Sequence, residues 1–122
     1  MMISLPATIF VATAPINLRL SFDRLAGVVR DHLGGDPRSA SLFIFHNRRG
    51  THLKLLWHDG RSYRILFTRL DRGRFRIPLA IPADARRVQI SEAELGLLLE
   101  GVDMKLIRAA RRTVREHPAA RR

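Results

Sequence analysis

The feature that most constrains the fold is the stretch from Ser41 to Pro78, in which apolar and basic residues alternate. Three turn signals divide this stretch: Asn47-Arg48-Arg49-Gly50, His58-Asp59-Gly60 and Asp71-Arg72-Gly73. Alternation with a period of two is typical of β-strands, and turns that end in glycine commonly close hairpins. The stretch therefore predicts an antiparallel meander of four short strands.

The alternation also predicts which side chains of the meander are buried. The buried set is apolar or aromatic: Leu53, Leu55, Trp57, Tyr63, Ile65, Phe67, Phe75 and Ile77. The outward set is cationic: Lys54, Arg64, Arg74 and Arg76, extended from the turns by Arg48, Arg49 and Arg72. A slip of one residue in any strand would bury these cations unpaired, so the pattern favours one register and one strongly basic face. Leu56 and Leu66 also fall on the outward face, which indicates that something covers part of it.

The flanking segments predict further elements around the meander. Residues 8–12 are typical of a strand, and Ser21 is a candidate N-cap for a helix from Phe22 to about Leu33. A short strand is indicated at residues 86–90, and Ser91-Glu92-Ala93-Glu94 is a capping box that opens another helix. The predicted class is α+β, an antiparallel meander of about four to five short strands packed on one face by two or three helices. Residues 1–103 form the predicted single domain.

Residues 104–122 differ in composition and are predicted to form a basic C-terminal helix or tail. A thin apolar stripe runs beside a basic stripe of Lys105, Arg108, Arg112 and Arg115. Two interpretations stay open: a cationic arm that orders on nucleic acid, or a solvated terminal helix.

Charge indicates the kind of partner. The chain has 22 Lys and Arg against 11 Asp and Glu, which gives a net charge of +11. Such a surplus favours a polyanion. A high-GC genome would explain arginine over lysine, but it would not explain a twofold excess of bases over acids. The chain has no cysteine, and it has no apolar run of the roughly 18 residues that span a bilayer. We therefore expect a cytoplasmic, nucleoid-associated protein that does not bind a membrane.

No catalytic signature is present in the sequence. His46, His52 and His58 recur every six residues, but strands and turns would keep them apart, so no metal site is predicted. The carboxylates fall in turns and caps rather than in a convergent set, and nucleophile elbows and glycine-rich phosphate loops are missing. We therefore expect a protein that is not an enzyme and has no cofactor.

Four strings, in this order and at this spacing, resemble a known family: SFDRLAGVVRDHL, SLFIFHNRRGTHLKLLWHDG, TRLDRGRFRIP and LLLEGVD. The family is the accessory transposition protein of the insertion sequence sixty-six group, often labelled TnpB, and it is distinct from the RNA-guided nuclease with the same label. The resemblance covers roughly residues 4 to 104. The chain departs from the family pattern at Asn17, His58, Thr68 and Ile77. The resemblance implies a helper encoded beside a separate transposase in a bacterial mobile element.

Two hypotheses follow from charge and resemblance together. The first is a non-catalytic accessory factor that binds DNA, either element ends or non-specific duplex, through a basic sheet face and the tail. Its candidate contacts are Arg48, Arg49, Lys54, Arg64, Arg72, Arg74, Arg76, Arg108, Arg112 and Arg115. The alternative is an adaptor that docks on the transposase without contacting nucleic acid, which Leu56 and Leu66 motivate. The choice between DNA and RNA, the sequence preference and the presence of a homo-oligomer stay open, and a hidden nuclease is the weakest interpretation.

Overall fold

The computed structural model describes residues 5–76 and 84–101, and in them a five-stranded sheet carries a helix on each face. The elements in chain order are β1 (Thr8–Ala12), α1 (Phe22–Asp31), β2 (Ser41–His46), β3 (His52–His58), β4 (Tyr63–Arg69), β5 (Arg87–Ile90) and α2 (Glu92–Leu99). The predicted α+β class is confirmed, as are the predicted strands on either side of the meander, β1 and β5.

The strand order across the sheet is β4-β3-β2-β1-β5. β1 and β2 are parallel and α1 connects them, whereas every other neighbouring pair is antiparallel. The meander therefore consists of β2, β3 and β4, with β1 added beside β2 and β5 added beside β1. All six residues of β2 are buried, as expected for a central strand that is covered on both faces.

The prediction of a fourth meander strand around Phe75 is wrong. Residues 74–76 have no regular structure, although Phe75 is buried, with 4% of its surface exposed. Its backbone N–H donates to the Gly50 carbonyl across 2.7 Å, which fastens the segment to the turn between β2 and β3. Alternation over so few residues cannot separate a strand from an extended segment with one buried anchor. Ile77 lies outside the described residues.

The predicted register between the second and third meander strands is also wrong. Lys54 pairs with Phe67 and Trp57 pairs with Arg64, and directly paired residues share a face of the sheet. Lys54 and Arg64 therefore lie on opposite faces, and the single basic face does not form. The cause is the connection between β3 and β4, where His58 pairs with Tyr63. This loop length sets the opposite alternation from the one that we expected.

The helices lie on opposite faces, whereas the sequence indicated packing on one face. Leu25 of α1 belongs to the core that contains Phe43 of β2. Leu98 of α2 belongs to the other core, with Ile44 of β2. The reason is that β2 and β3 are apolar on both sides, so each face needs its own cover. Leu56, which we expected to be covered by another element, is fully buried on the α1 face.

The capping box of α2 is confirmed. The Glu94 N–H donates to Ser91 Oγ across 3.1 Å, and the Ser91 N–H donates to Glu94 Oε1 across 3.0 Å. Ser21 occupies the N-cap position of α1 as predicted, but its side chain makes no capping hydrogen bond.

Glycine substitutions at two positions are expected to change stability in opposite directions. Gly50 has a φ of 71°, where a side chain is strained, so Gly50→Ala should lower the free energy of unfolding by about 1 kcal/mol. Gly96 lies inside α2, and a methyl group at this position would meet no atom within 4 Å, so Gly96→Ala should raise the free energy of unfolding by up to about 1 kcal/mol. Urea unfolding followed by fluorescence of Trp57 measures both changes. Equal effects of the two substitutions would contradict this account.

His46 is expected to make stability depend on pH. It is buried, and because a carbonyl oxygen only accepts, its Nε2 donates to the Ala12 carbonyl across 2.8 Å. Burial lowers the pKa of His46 from its ordinary value of 6.5. The unfolded chain therefore binds a proton at higher pH than the folded chain. The stabilisation is complete above pH 6.5 and is lost as the pH falls towards the folded pKa, by at most about 1.4 kcal/mol per pH unit.

His46→Gln should flatten this pH dependence between pH 7.5 and pH 5.5 (about one unit either side of the ordinary histidine pKa), as measured by urea unfolding. The matched control is His32→Gln, because the His32 side chain is exposed, and it should retain the dependence of the parent protein. A variant at His46 with the parent slope would show that another group is responsible.

Candidate nucleic-acid interface

The turn between β2 and β3 presents two exposed arginines at its tip. Asn47 holds this turn, because its Oδ1 accepts from the Thr51 N–H at 2.9 Å and from the His52 N–H at 3.0 Å. Arg48 and Arg49 lie between these fixed points, and both are exposed. The backbone that carries the two guanidinium groups is therefore set before any ligand binds.

A second arginine-bearing segment lies against the same turn. A Cβ placed on Gly50 would lie 3.6 Å from the Cβ of Arg74, and the Phe75 N–H bonds to the Gly50 carbonyl. The Leu70 N–H donates to the Thr51 carbonyl across 3.1 Å, which fixes the end of β4 beside the start of β3. The turn and residues 69–76 thus form one end of the sheet.

We call the exposed arginines at this end of the sheet the arginine cluster. Its members are Arg48, Arg49, Arg69, Arg72, Arg74 and Arg76. Five of them were predicted as contacts, and Arg69 was not. Arg69 pairs with His52 at the open end of the β3–β4 hairpin, beside the turn that carries Arg48 and Arg49. Finding it required the correct hairpin register.

A cleft of about 410 Å³ borders the cluster on the side of the loop between β1 and α1. Its lining comes from residues 15–18 and 47–49, and the Ile16 N–H donates to the His46 carbonyl across 3.0 Å to hold the two segments together. Arg19, which follows this loop, is also exposed. Two arginines therefore line the cleft, Arg48 and Arg49, and a third follows the residues of its other wall.

The arginine cluster is electrostatically unbalanced. Asp71 is the acid within the same segment, and it is exposed. Among residues 5–76 and 84–101, no carboxylate forms an ion pair with a member of the cluster. Guanidinium groups in this state offer paired N–H donors that match the geometry of a phosphate.

Lys54 lies inside β3, on the same face of the sheet as Arg69, and it has local partners. Its Nζ donates to the Leu20 carbonyl across 2.8 Å and lies 5.1 Å from the centre of the Phe67 ring. These contacts tie the segment before α1 to β3 and β4. Lys54 therefore has a structural role on the α1 face.

Arg64 lies on the opposite face from Lys54 and has an acidic partner. Its Nε donates to Asp59 Oδ2 across 2.6 Å. This bond, with N–H groups from Ser62 and Arg61, holds the pKa of Asp59 well below its usual range. Asp59 belongs to the turn between β3 and β4, which is the end of the sheet away from the arginine cluster.

The remaining predicted contacts, Arg108, Arg112 and Arg115, lie outside the described residues. Within the described ranges, no group of three His, Asp or Glu side chains is placed to hold a metal ion. No helix in this part of the chain has the length and hydrophobicity to cross a bilayer.

Comparison with known proteins identifies relatives across most of the chain. The uncharacterized protein y4hO of Sinorhizobium fredii (strain NBRC 101917 / NGR234) is 37% identical over 97 residues, which cover 80% of this chain and 82% of y4hO. The uncharacterized protein y4jC of the same strain is 33% identical over 96 residues, which cover 78% and 79%. No solved structure matches the chain at a significant level.

The family model described as IS66 Orf2 like protein matches residues 7–109. The match takes in the whole described sheet, both helices and the arginine cluster. The chain therefore belongs to the IS66 Orf2-like family, a family of accessory proteins in transposition.

Proposed function

We propose that this protein assists transposition as a non-catalytic factor that binds DNA through the arginine cluster. The observation that carries the proposal is the gathering of six exposed arginines, none ion-paired with a described carboxylate, at one end of the sheet. The proposed interface lies at the end of the sheet with the β2–β3 turn, rather than on the sheet face that was predicted from the sequence. Lys54 and Arg64 are left out because each has a local partner.

The cluster is suited to the phosphate backbone rather than to base edges. Arginines on a preformed turn lose less freedom on binding than arginines on a loose chain, so more of the electrostatic attraction appears as affinity. Phosphate contacts of this kind give position on the duplex with little sequence information. Arg108, Arg112 and Arg115 would add to the same attraction from the C-terminal segment.

Two acids of the described chain have partners that hold local structure. Asp59 is bonded to Arg64, and Glu94 completes the cap of α2. A two-metal nuclease needs several carboxylates that converge on shared ions, and residues 5–76 and 84–101 contain no such group. The contribution that we propose is binding and positioning for a separate transposase.

A salt-titrated binding assay tests the proposal. Fluorescence anisotropy would compare duplex from the element ends, random duplex, single-stranded DNA and RNA of equal length. If about six phosphates are neutralised, the logarithm of the association constant should fall with the logarithm of salt concentration at a slope of about −5. An association constant for duplex that does not change with added salt would contradict the proposal. Tighter binding to RNA than to DNA would mean that RNA is the ligand.

The second candidate function is an adaptor that docks on the transposase. It is favoured by Leu66, which stays 45% exposed on β4, whereas Leu56 is buried and no longer supports it. Co-purification with the transposase in high salt after nuclease digestion would favour this function. Failure to associate at any salt concentration would argue against it.

A further inference from the structure

β4 is an edge strand of the described sheet. It forms the end of the sheet order, beside β3, and no other described strand pairs with its far side. The Leu70 N–H bonds to the Thr51 carbonyl and the Asp59 N–H bonds to the Ser62 carbonyl, which fixes the phase of the β3–β4 ladder. In an antiparallel ladder the backbone groups of alternate residues point to the same side. Even-numbered residues of β4 therefore bond to β3, and the odd-numbered residues, 63 to 69, direct their N–H and C=O groups away from the sheet.

The side chains of this edge are apolar at its centre. Leu66 is 45% exposed on the α2 face, and Phe67 is 56% exposed on the α1 face. The centre of the strand, Ile65-Leu66-Phe67-Thr68, contains no charge, proline or glycine. Charged side chains and proline are among the features by which proteins prevent an edge strand from pairing with another chain, and the centre of β4 has neither.

The opposite edge of the sheet is protected in the usual ways. β5 has four residues, against seven in β4. It also carries Arg87, whose guanidinium carbon lies 4.2 Å from the centre of the Phe10 ring. A short edge with a charged residue is a poor template for strand addition. β4 also carries two arginines, Arg64 and Arg69, but they lie at or next to its ends. Its greater length and its uncharged centre therefore indicate that β4 is the edge used for association.

We propose that β4 pairs with β4 of a second copy of this chain, in antiparallel orientation about a twofold axis through Leu66. In this register Ile65 faces Phe67 of the other copy, and Tyr63 faces Arg69. These are the residues whose backbone groups point away from β3, so they form the hydrogen-bonded pairs of the new ladder. Leu66 faces Leu66 of the other copy in a non-hydrogen-bonded pair, where side chains approach most closely. The two sheets become one sheet of ten strands.

The sequence of β4 favours a second copy over an unrelated strand because it is complementary to itself in this register. Apolar residues face apolar residues on both sides of the sheet. Arg69 faces the Tyr63 ring and Arg64 faces Thr68, so no cation faces another cation. Moving the axis to Ile65 would set Leu66 opposite Arg64, and moving it to Phe67 would set Ile65 opposite Arg69. The register centred on Leu66 is therefore the best matched.

Pairing would also set the distance between two arginine clusters, a consequence that rests on the proposed DNA binding. The clusters would lie at the two ends of the joined β4 strands. Eight residues separate the two Leu70 positions, which at about 3.4 Å per residue is roughly 27 Å, and the turns that carry Arg48 and Arg49 lie farther out. One turn of duplex is about 34 Å, so both clusters could contact one face of the same DNA.

Sedimentation equilibrium of the nuclease-treated full chain tests the dimer without DNA. In about 0.5 M salt, where charge is screened to within a few ångströms, we expect twice the chain mass of 13.9 kDa at micromolar concentration. Each copy carries a charge of +11, so added salt should strengthen the dimer while it weakens DNA binding. The two proposals can therefore fail separately. A monomer at every salt and protein concentration would overturn the inference, whether or not the transposase binds.

Charge placed on the axis tests the register. Leu66→Lys and Leu66→Glu each set like charges opposite one another, and each should raise the dimer dissociation constant about a hundredfold or more. Mixing the two variants should restore a dimer, because opposite charges then face each other. The matched control is Leu5→Lys, which charges another exposed leucine (38% exposed) and should leave the dimer intact.

Two results at residue 66 would overturn the inference. One is a Leu66→Lys protein that stays dimeric, and the other is a mixture of folded Leu66→Lys and Leu66→Glu proteins that stays monomeric. Trp57 fluorescence shows that each variant is folded. Deuterium exchange gives an independent measurement: the amides of Tyr63, Ile65, Phe67 and Arg69 should exchange slowly in the parent dimer and quickly in Leu66→Lys.

Discussion

Replacing Arg48 and Arg49 together by alanine is expected to weaken duplex binding by about one to two orders of magnitude near 0.1 M salt. Both side chains are exposed on a turn that Asn47 holds rigid, so their removal takes away two phosphate contacts without changing the backbone. The salt slope should become shallower by about 1.8, since each lost contact is worth about 0.9. Anisotropy titrations at several salt concentrations measure both quantities.

The matched control removes the same charge from the other end of the sheet. Arg38 precedes the start of β2 and Arg61 lies in the turn between β3 and β4, and both are exposed. Replacing these two by alanine should change affinity and slope much less than the change at Arg48 and Arg49. Equal losses from the two pairs would mean that net charge alone binds the duplex and that the arginine cluster is not a site.

Much of the fold could be predicted because its signals are local. The glycines that end the three predicted turn signals, Gly50, Gly60 and Gly73, have positive φ, a conformation that glycine adopts readily. The capping box of α2 is contained in four residues, and both of its hydrogen bonds form. Signals of this kind need no knowledge of the partner strand or of the opposite face, so the class and most element positions followed from the sequence.

The faces of the sheet could not be predicted in the same way. Alternation assigns residues to two sides of one strand, but the hairpin loop decides which side of the next strand matches. One residue more or fewer between His58 and Tyr63 would have put Lys54 and Arg64 on the same face. Hydrophobicity could not correct the choice, because β3 buries Leu55 on one side and Leu56 on the other.

The exposure of Arg48 and Arg49 does not depend on the register, for a physical reason. Arg48 and Arg49 are displayed by a turn, and a residue at the tip of a turn is exposed whichever face its strand presents. Lys54 and Arg64 lie inside strands, so their surroundings depend on the register. Their partners are also different in kind: Asp59 is a neighbour in the hairpin, whereas the Leu20 carbonyl is distant in sequence and carries no sequence signal.

Phe75→Ala is expected to cause a large loss of stability. Because Phe75 anchors the segment that carries Arg72, Arg74 and Arg76, the same substitution should also affect the proposed interface. Phe75 belongs to the core that contains Trp57, although no regular element holds it. Removing the buried ring should lower the free energy of unfolding by about 3–5 kcal/mol. Urea unfolding followed by the fluorescence of Trp57 measures this loss.

The same substitution should weaken duplex binding by about tenfold while leaving the salt slope nearly unchanged. The arginines at 72, 74 and 76 stay present, so the number of phosphates that can be neutralised is the same. Without the Phe75 anchor, however, their backbone must be ordered on binding. Fixing the backbone of one residue costs about 1–2 kcal/mol, which corresponds to roughly tenfold in affinity.

Phe75→Leu is the control for this prediction, because it keeps an apolar anchor and should recover most of the stability and affinity. A Phe75→Ala protein that stays folded and binds duplex with parent affinity would show that fixed positions of these arginines are not needed. A shallower slope would show instead that contacts are lost rather than loosened. The salt slope of binding thus separates two roles at the interface. Arg48 and Arg49 supply charge, and Phe75 fixes the position of the neighbouring arginines.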